Sequence, residues 1–83
     1  MSNKKQVEKN LKLSSRVASY IMENPDAVKK VPKNSTYVIF SVDDQELNKK
    51  NEKMIFSLKN EGKKVIKVFE TKNKTNPWNF ISL

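Results

Sequence analysis

Three carboxylates stand where they could do chemistry together. Asp43 and Asp44 follow the apolar run "YVIF" at 37–40, and Glu70 closes a second β-rich run, "KVIKVFE" at 64–70. In an open α/β sheet, ligands gather at the carboxyl ends of the strands. Three oxygen donors there could hold Mg²⁺ with water completing its shell, as a metal-assisted phosphoryl hydrolase requires. The two aspartates also have a plainer use. They precede a helical pattern, and with Asp43 as N-cap, Glu46 falls at the third helical position. The pattern D-x-x-E then satisfies free N–H groups reciprocally and suits the positive helix end. A phosphate site would need glycines and uncancelled N–H groups at this turn. The turn has no glycine, and its two acids would repel an anion. The expectation is a cap.

Other catalytic equipment is sparse. The chain has no cysteine and no histidine, which removes thiolate metal sites and the commonest general base. Ser14, Ser15 and Ser19 have no histidine to activate them. Nucleophile-elbow, P-loop and zinc patterns are absent. No cofactor is implied.

The elements that must position these residues follow from hydrophobic spacing. In 4–23, Val7, Leu11, Ser14, Ala18 and Ile21 recur at alternating spacings of four and three, a helix stripe. Leu13, Val17, Tyr20 and Met22 widen it to roughly half the circumference or more. Such a helix is expected to touch two surfaces. Pro25 stops it, since proline disfavours helical geometry at Asn24. Asn24 can then cap a short helix at 25–31, with Pro25 at its first position. The segment 36–42, "TYVIFSV", has four consecutive apolar residues, as in a strand buried on both faces. The second strand, 64–70, is more mixed, as an edge strand would be. Between them, the helix at 44–61 turns Leu47, Asn51, Met54, Ile55 and Leu58 to one face, and Gly62 suits its left-handed C-cap. Strand, helix and strand form a βαβ unit with a parallel sheet. The tail at 71–83 ends in Trp78, Phe80, Ile81 and Leu83, so it is expected to dock. The fold class is α/β: one small α-α-β-α-β domain spanning 1–83. With 36–42 central, its other side needs a neighbour, either the tail as a third strand or the same strand of a second copy.

Four residues are singled out for interaction. Asn51 sits between Leu47 and Ile55 on the inward face, and a buried amide must find partners. A structural bond to a strand or loop carbonyl would satisfy it; the functional alternative is that it holds a ligand or a partner's backbone. Asn10 lies similarly at the border of the first helix's apolar arc. Phe56 points away from Leu47, and joined to Trp78 or Phe80 it would make an aromatic interaction patch. Trp78 and Phe80 could also stack on bases beside lysines, although an apolar tail favours packing.

At 83 residues there is room for one domain, and a chain this short buries about 60–65% of its unfolded surface. Net charge is +8, from 16 lysines and a single arginine, Arg16, beside ten asparagines. The excess charge fits a nucleic-acid or anionic-surface binder. It equally fits the codon bias of an AT-rich genome, because the lysines are spread over every segment. Arg is the preferred residue for bidentate phosphate and guanine contacts. The opening "MSNKKQVEKN" has no apolar h-region, and the longest apolar run is far short of a membrane span, so the expectation is a cytoplasmic protein without a membrane segment.

The strings "VEKNL" at 7–11, "ENP" at 23–25, "DDQEL" at 43–47, Asn51, "EGK" at 61–63 and Asn76-Pro77 resemble a family of small uncharacterised prokaryotic proteins, a domain of unknown function, over residues 7–77. Lys49, Lys50 and Phe56 depart from that pattern, being more basic or more apolar than it leads one to expect. The resemblance implies a small α/β domain and lends no catalytic residues. The functional expectation is a non-catalytic interaction or regulatory module that forms a homodimer or binds a protein partner. An antitoxin-like partner role is analogy only. The alternatives are nucleic-acid binding through dispersed lysines and Mg²⁺-dependent phosphoryl hydrolysis at Asp43, Asp44 and Glu70.

Overall fold

Ser2 opens the first helix. In the computed structural model, which describes residues 1–83, α1 runs Asn3–Glu23 and the Ser2 hydroxyl accepts from the Lys5 amide at 3.2 Å. Pro25 ends the helix as anticipated, and a 3₁₀ turn, Pro25–Val28, follows. Asn24 occupies the cap position of that turn without capping it. Its side chain turns back to donate to the Tyr20 carbonyl at 3.0 Å. Strand β1 is Thr36–Phe40, helix α2 is Gln45–Asn60 and strand β2 is Val65–Glu70. The tail supplies a third strand, β3, Trp78–Ser82.

Gly62 closes α2 with φ +77°, the left-handed conformation that glycine adopts without a Cβ penalty. The Gly62 amide donates to the Lys59 carbonyl and the Lys63 amide to that of Leu58, the paired bonds of a Schellman motif. At the other end, the N-cap is Asp44, not Asp43: the Asp44 carboxylate accepts from the Leu47 amide at 3.1 Å. Glu46 therefore sits at the second helical position, and the expected reciprocal capping box does not form.

The sheet order is β1-β2-β3, with β1 parallel to β2 and β3 antiparallel to it. Ile39 lies opposite Val68, and Val68 opposite Phe80. The parallel βαβ unit is thus present, but the roles of its strands are exchanged. The apolar strand β1 is an edge, and the mixed strand β2 is central. The tail completes the sheet beside β2, not beside β1. β1 is buried on both faces because helices cover both, which is a different matter from being paired on both edges.

Two apolar clusters hold these layers. Leu13 and Val17 of α1 meet Ile39, Ile66, Val68 and Trp78 on one face of the sheet. On the other face Ile55 of α2 meets Val38, Phe40 and Val65. Leu47, near the start of α2, belongs to the first cluster, so α2 crosses obliquely over the outer edge of β1. Burial of Leu47, Ile66 and Val68, all 1% exposed or less, stabilises the fold by about 1.5–3 kcal/mol each. Lys67 explains the mixed look of β2. Its ammonium lies 4.5 Å from the Phe40 ring centre and 4.9 Å from that of Phe69, with Glu52 at 3.2 Å, so the charge is accommodated on a packed face. No helix is long and apolar enough to cross a membrane.

Candidate interaction surface

The outer edge of β1 is where sequence, backbone and charge converge. The Thr36 amide donates to the Lys64 carbonyl at 2.8 Å, so residues 36, 38 and 40 direct their backbone groups at β2. Residues 37, 39 and 41 direct theirs outward. Helix α2 supplies side-chain amides to part of this edge. Asn48 accepts from the Ser41 amide and donates to the Ser41 carbonyl, both at 2.8 Å, as a neighbouring strand would. Asn51, one turn later, donates to the Ile39 carbonyl at 2.7 Å.

Asn51 is fully buried, and every polar position on its side chain is used. Its amide nitrogen also donates to Asn10 at 2.9 Å, and its oxygen accepts from Asn10 and Gln6, each at 3.2 Å. Asn51 therefore ties α1, α2 and β1 together. The expectation that it holds a ligand or a partner is corrected here: its polar capacity is consumed inside the fold. Asn48 and Gln6 were not singled out from the sequence. The spacing of Asn48 to Asn51, three residues on the strand-facing side of α2, was the available signal.

Beyond these amides the edge is open. The N–H and C=O of Tyr37 and the N–H of Ile39 point outward and take part in no hydrogen bond. Three clefts meet at Ser14: one between α1 and Met54 of α2, one between α1 and β1, and one over β1 between α1 and α2. The one directly over Tyr37 and Ile39 has a volume of about 160 Å³ and is flanked by Asn10, Ser14 and Met54. None of the side chains lining the three clefts is charged, in a chain where 31% of residues are. Here the over-wide apolar arc of α1 finds its explanation. Leu13 and Val17 face the core, whereas Val7 and Leu11 stand 57% and 64% exposed beside the clefts. Tyr37 is also exposed, with its ring edge-on to that of Phe80 at 6.4 Å.

The three acids are separated in use. Asp44 pairs with Lys9 at 2.7 Å, and the hydrogen bond from Lys9, reinforced by the Leu47 amide, holds its carboxyl below the usual carboxylate range. Glu70 pairs with Arg16 at 2.7 Å and accepts from the Val42 amide at 3.1 Å. Asp43 accepts from the Ser41 hydroxyl at 2.9 Å. Ser41 is the pivot of the turn, since its hydroxyl oxygen also accepts from the Asp43 and Asp44 amides. Asp43, Asp44 and Glu70 form no cluster of three acids able to hold a metal ion. Glu46 pairs with the α-amino group of Met1 at 2.6 Å, which lowers its pKa.

The aromatic candidates also separate. Trp78 is buried in the first cluster, with the Arg16 guanidinium 5.3 Å from its ring centre. It is corrected from an interaction residue to a core residue. Phe80 is half-buried and stacks on Tyr20 with ring centres 6.4 Å apart. Phe56 stands 70% exposed on the outer side of α2 and joins neither of them. The expected Phe56–Trp78–Phe80 patch is not assembled, because α2 and β3 flank opposite edges and Trp78 points toward α1.

The chain belongs to a family of unknown function (DUF5647), whose model matches residues 5–76. That span ends just before β3. No curated protein and no solved structure matches the chain.

Proposed function

We propose that this family member is a non-catalytic interaction module whose partner is a second copy of itself, docked through the charge-free face formed by α1, Met54 and the open edge of β1. One observation carries the reading. In a chain of net charge +8, the three clefts beside α1 are lined by uncharged side chains only. Two such chains repel wherever lysines meet, and a neutral face is the route by which they can come together. Val7, Leu11 and Tyr37 supply the apolar surface that a homodimer interface favours. Sedimentation equilibrium at micromolar concentration tests this. Wild type is expected to sediment as a dimer and Leu11→Glu as a folded monomer. A wild-type chain that stays monomeric into the high micromolar range overturns it.

A second reading rests on a different face. Phe56 is flanked on the exposed side of α2 by Lys49, Lys53 and Lys59, which form no ion pair. An aromatic ring among free lysines suits single-stranded nucleic acid, with bases stacking and phosphates paired. Three lysine–phosphate contacts would give a slope of about −2 in log K against log salt concentration. Binding of an oligonucleotide that weakens at that slope and is lost in Phe56→Ala supports this reading. No binding at low ionic strength removes it.

A further inference from the structure

We infer that Leu11 of each copy seats in an apolar cleft of the other, with the two α1 helices antiparallel about a two-fold axis near Ser14. The inference rests on the self-association proposed above and adds how the two faces fit. One flank of α1 carries both a projection and a hollow. The projection is Leu11, with Val7 one turn before it; both are more than half exposed, and Leu11 belongs to neither core cluster. The hollow lies between α1 and β1, toward the C-terminal end of the helix. Its walls are Ser14, Val17, Ala18, Ile21, Tyr37 and Ile39, and its volume is about 230 Å³. Ser14 and Ala18 leave this space open because their side chains are too short to fill it. An apolar cavity of about 150 Å³ already takes up a benzene-sized guest, so a leucine side chain fits.

A symmetric dimer uses the same patch twice, so whatever one surface projects the same surface must receive. Ser14 lines all three clefts and stands between the projection and the hollow. A two-fold axis crossing α1 at that point exchanges the two. Each Leu11 then enters beside the partner's Ala18, and Val7 comes against the partner's Ile21 at the far end of the hollow. Parallel helices would set Leu11 against Leu11 and leave both hollows empty. The chemistry of the walls also selects the occupant. An acidic partner would be recognised by lysines, and no charged side chain lines this hollow. What enters it is apolar, and Leu11 is an apolar group held out on the matching side of the axis.

Such a fit predicts a rescue. Leu11→Ala removes the projection and Ala18→Leu fills the hollow. Each is expected to weaken the dimer at least about tenfold in sedimentation equilibrium. The double variant Leu11→Ala/Ala18→Leu exchanges projection and hollow, so each new leucine again faces an alanine across the axis. It is expected to dimerise within about threefold of wild type. Both positions are exposed and both residue types favour helices, so the folded chain is expected to survive every change, with Trp78 fluorescence as the check. A second measurement needs no substitution. In a mixture of labelled and unlabelled wild-type chains, an isotope-filtered NOE is expected between the Leu11 methyls and the ring of the partner's Tyr37. A wild-type dimer that lacks this NOE, or whose double variant associates no better than the weaker single one, overturns the seating and leaves self-association standing. A wild-type monomer overturns both.

Discussion

Replacing Asn51 with alanine should be among the most damaging single changes in this chain. Asn51 is fully buried and holds the Ile39 carbonyl at 2.7 Å. Truncation leaves that carbonyl without its donor, which costs about 1–3 kcal/mol. Asn10 and Gln6 also lose their partner, but both are half-buried and can turn to water, so they add less. The sum is roughly 2–4 kcal/mol, out of about 4–12 kcal/mol for a domain of this size. With an m-value near 1 kcal/mol per M, the urea midpoint should fall by about 2–4 M. Trp78, the single tryptophan and 5% exposed, provides the fluorescence signal. Asn51→Asp refines the test. The carboxylate keeps the acceptor for Asn10 and Gln6 but loses the donor, and it places a negative oxygen against the Ile39 carbonyl. Burial would raise the folded pKa of this new acid above its unfolded value. The variant then binds more protons folded than unfolded in that window, so its stability rises as pH falls through the folded pKa. Below it, the protonated carboxyl can again donate to Ile39. An alanine variant within about 0.5 kcal/mol of wild type, or an aspartate variant without recovery in acid, would refute the reasoning.

The acid pair separates in the same assay. Asp44→Ala should cost about 1–2 kcal/mol by removing the cap of α2 and the partner of Lys9, whereas Asp43→Ala should stay within about 0.5 kcal/mol. Equal losses would contradict the assignment of the cap. The Asp44 carboxyl has a folded pKa below its unfolded value, so its contribution is present above the ordinary carboxylate range and lost as pH falls through the folded pKa; an acid titration of wild type against Asp44→Asn should show that difference vanish. Gly62→Ala meets no atom within 4 Å, so its expected cost of about 1 kcal/mol is backbone strain alone, and a neutral effect in thermal unfolding would contradict that origin. Phe56→Ser, on the exposed side of α2, should leave the urea midpoint unchanged; a clear loss would mean that Phe56 packs on something.

The sequence carried the helices, the parallel βαβ pairing and the glycine stop, because each follows from local periodicity or from one residue's conformational preference. It misdirected the sheet order for a physical reason. The run "TYVIF" is apolar on both sides because α1 and α2 cover both faces, and nothing in side-chain hydrophobicity reports what lies along the backbone edge. Lys67 made β2 look peripheral, although its ammonium rests on Phe40 and Phe69 in the middle of the sheet. Asn51 was visible as an amide on an apolar face, and its link to a strand carbonyl follows the general need of buried amides. Its three-way bond with Asn10 and Gln6 depends on how two helices cross, which residue spacing along either one does not encode. The cap fell one residue later than expected because Ser41 folds the turn around its hydroxyl and leaves Asp43 facing outward.

The amides of Asn48 and Asn51 also bear on how the sheet is kept from growing. An exposed strand edge is a template on which further strands can add. Helix α2 covers the Ser41 end of β1 with side-chain amides from within the chain. The stretch on which uncontrolled strand addition could begin is thereby shortened to the Tyr37 end.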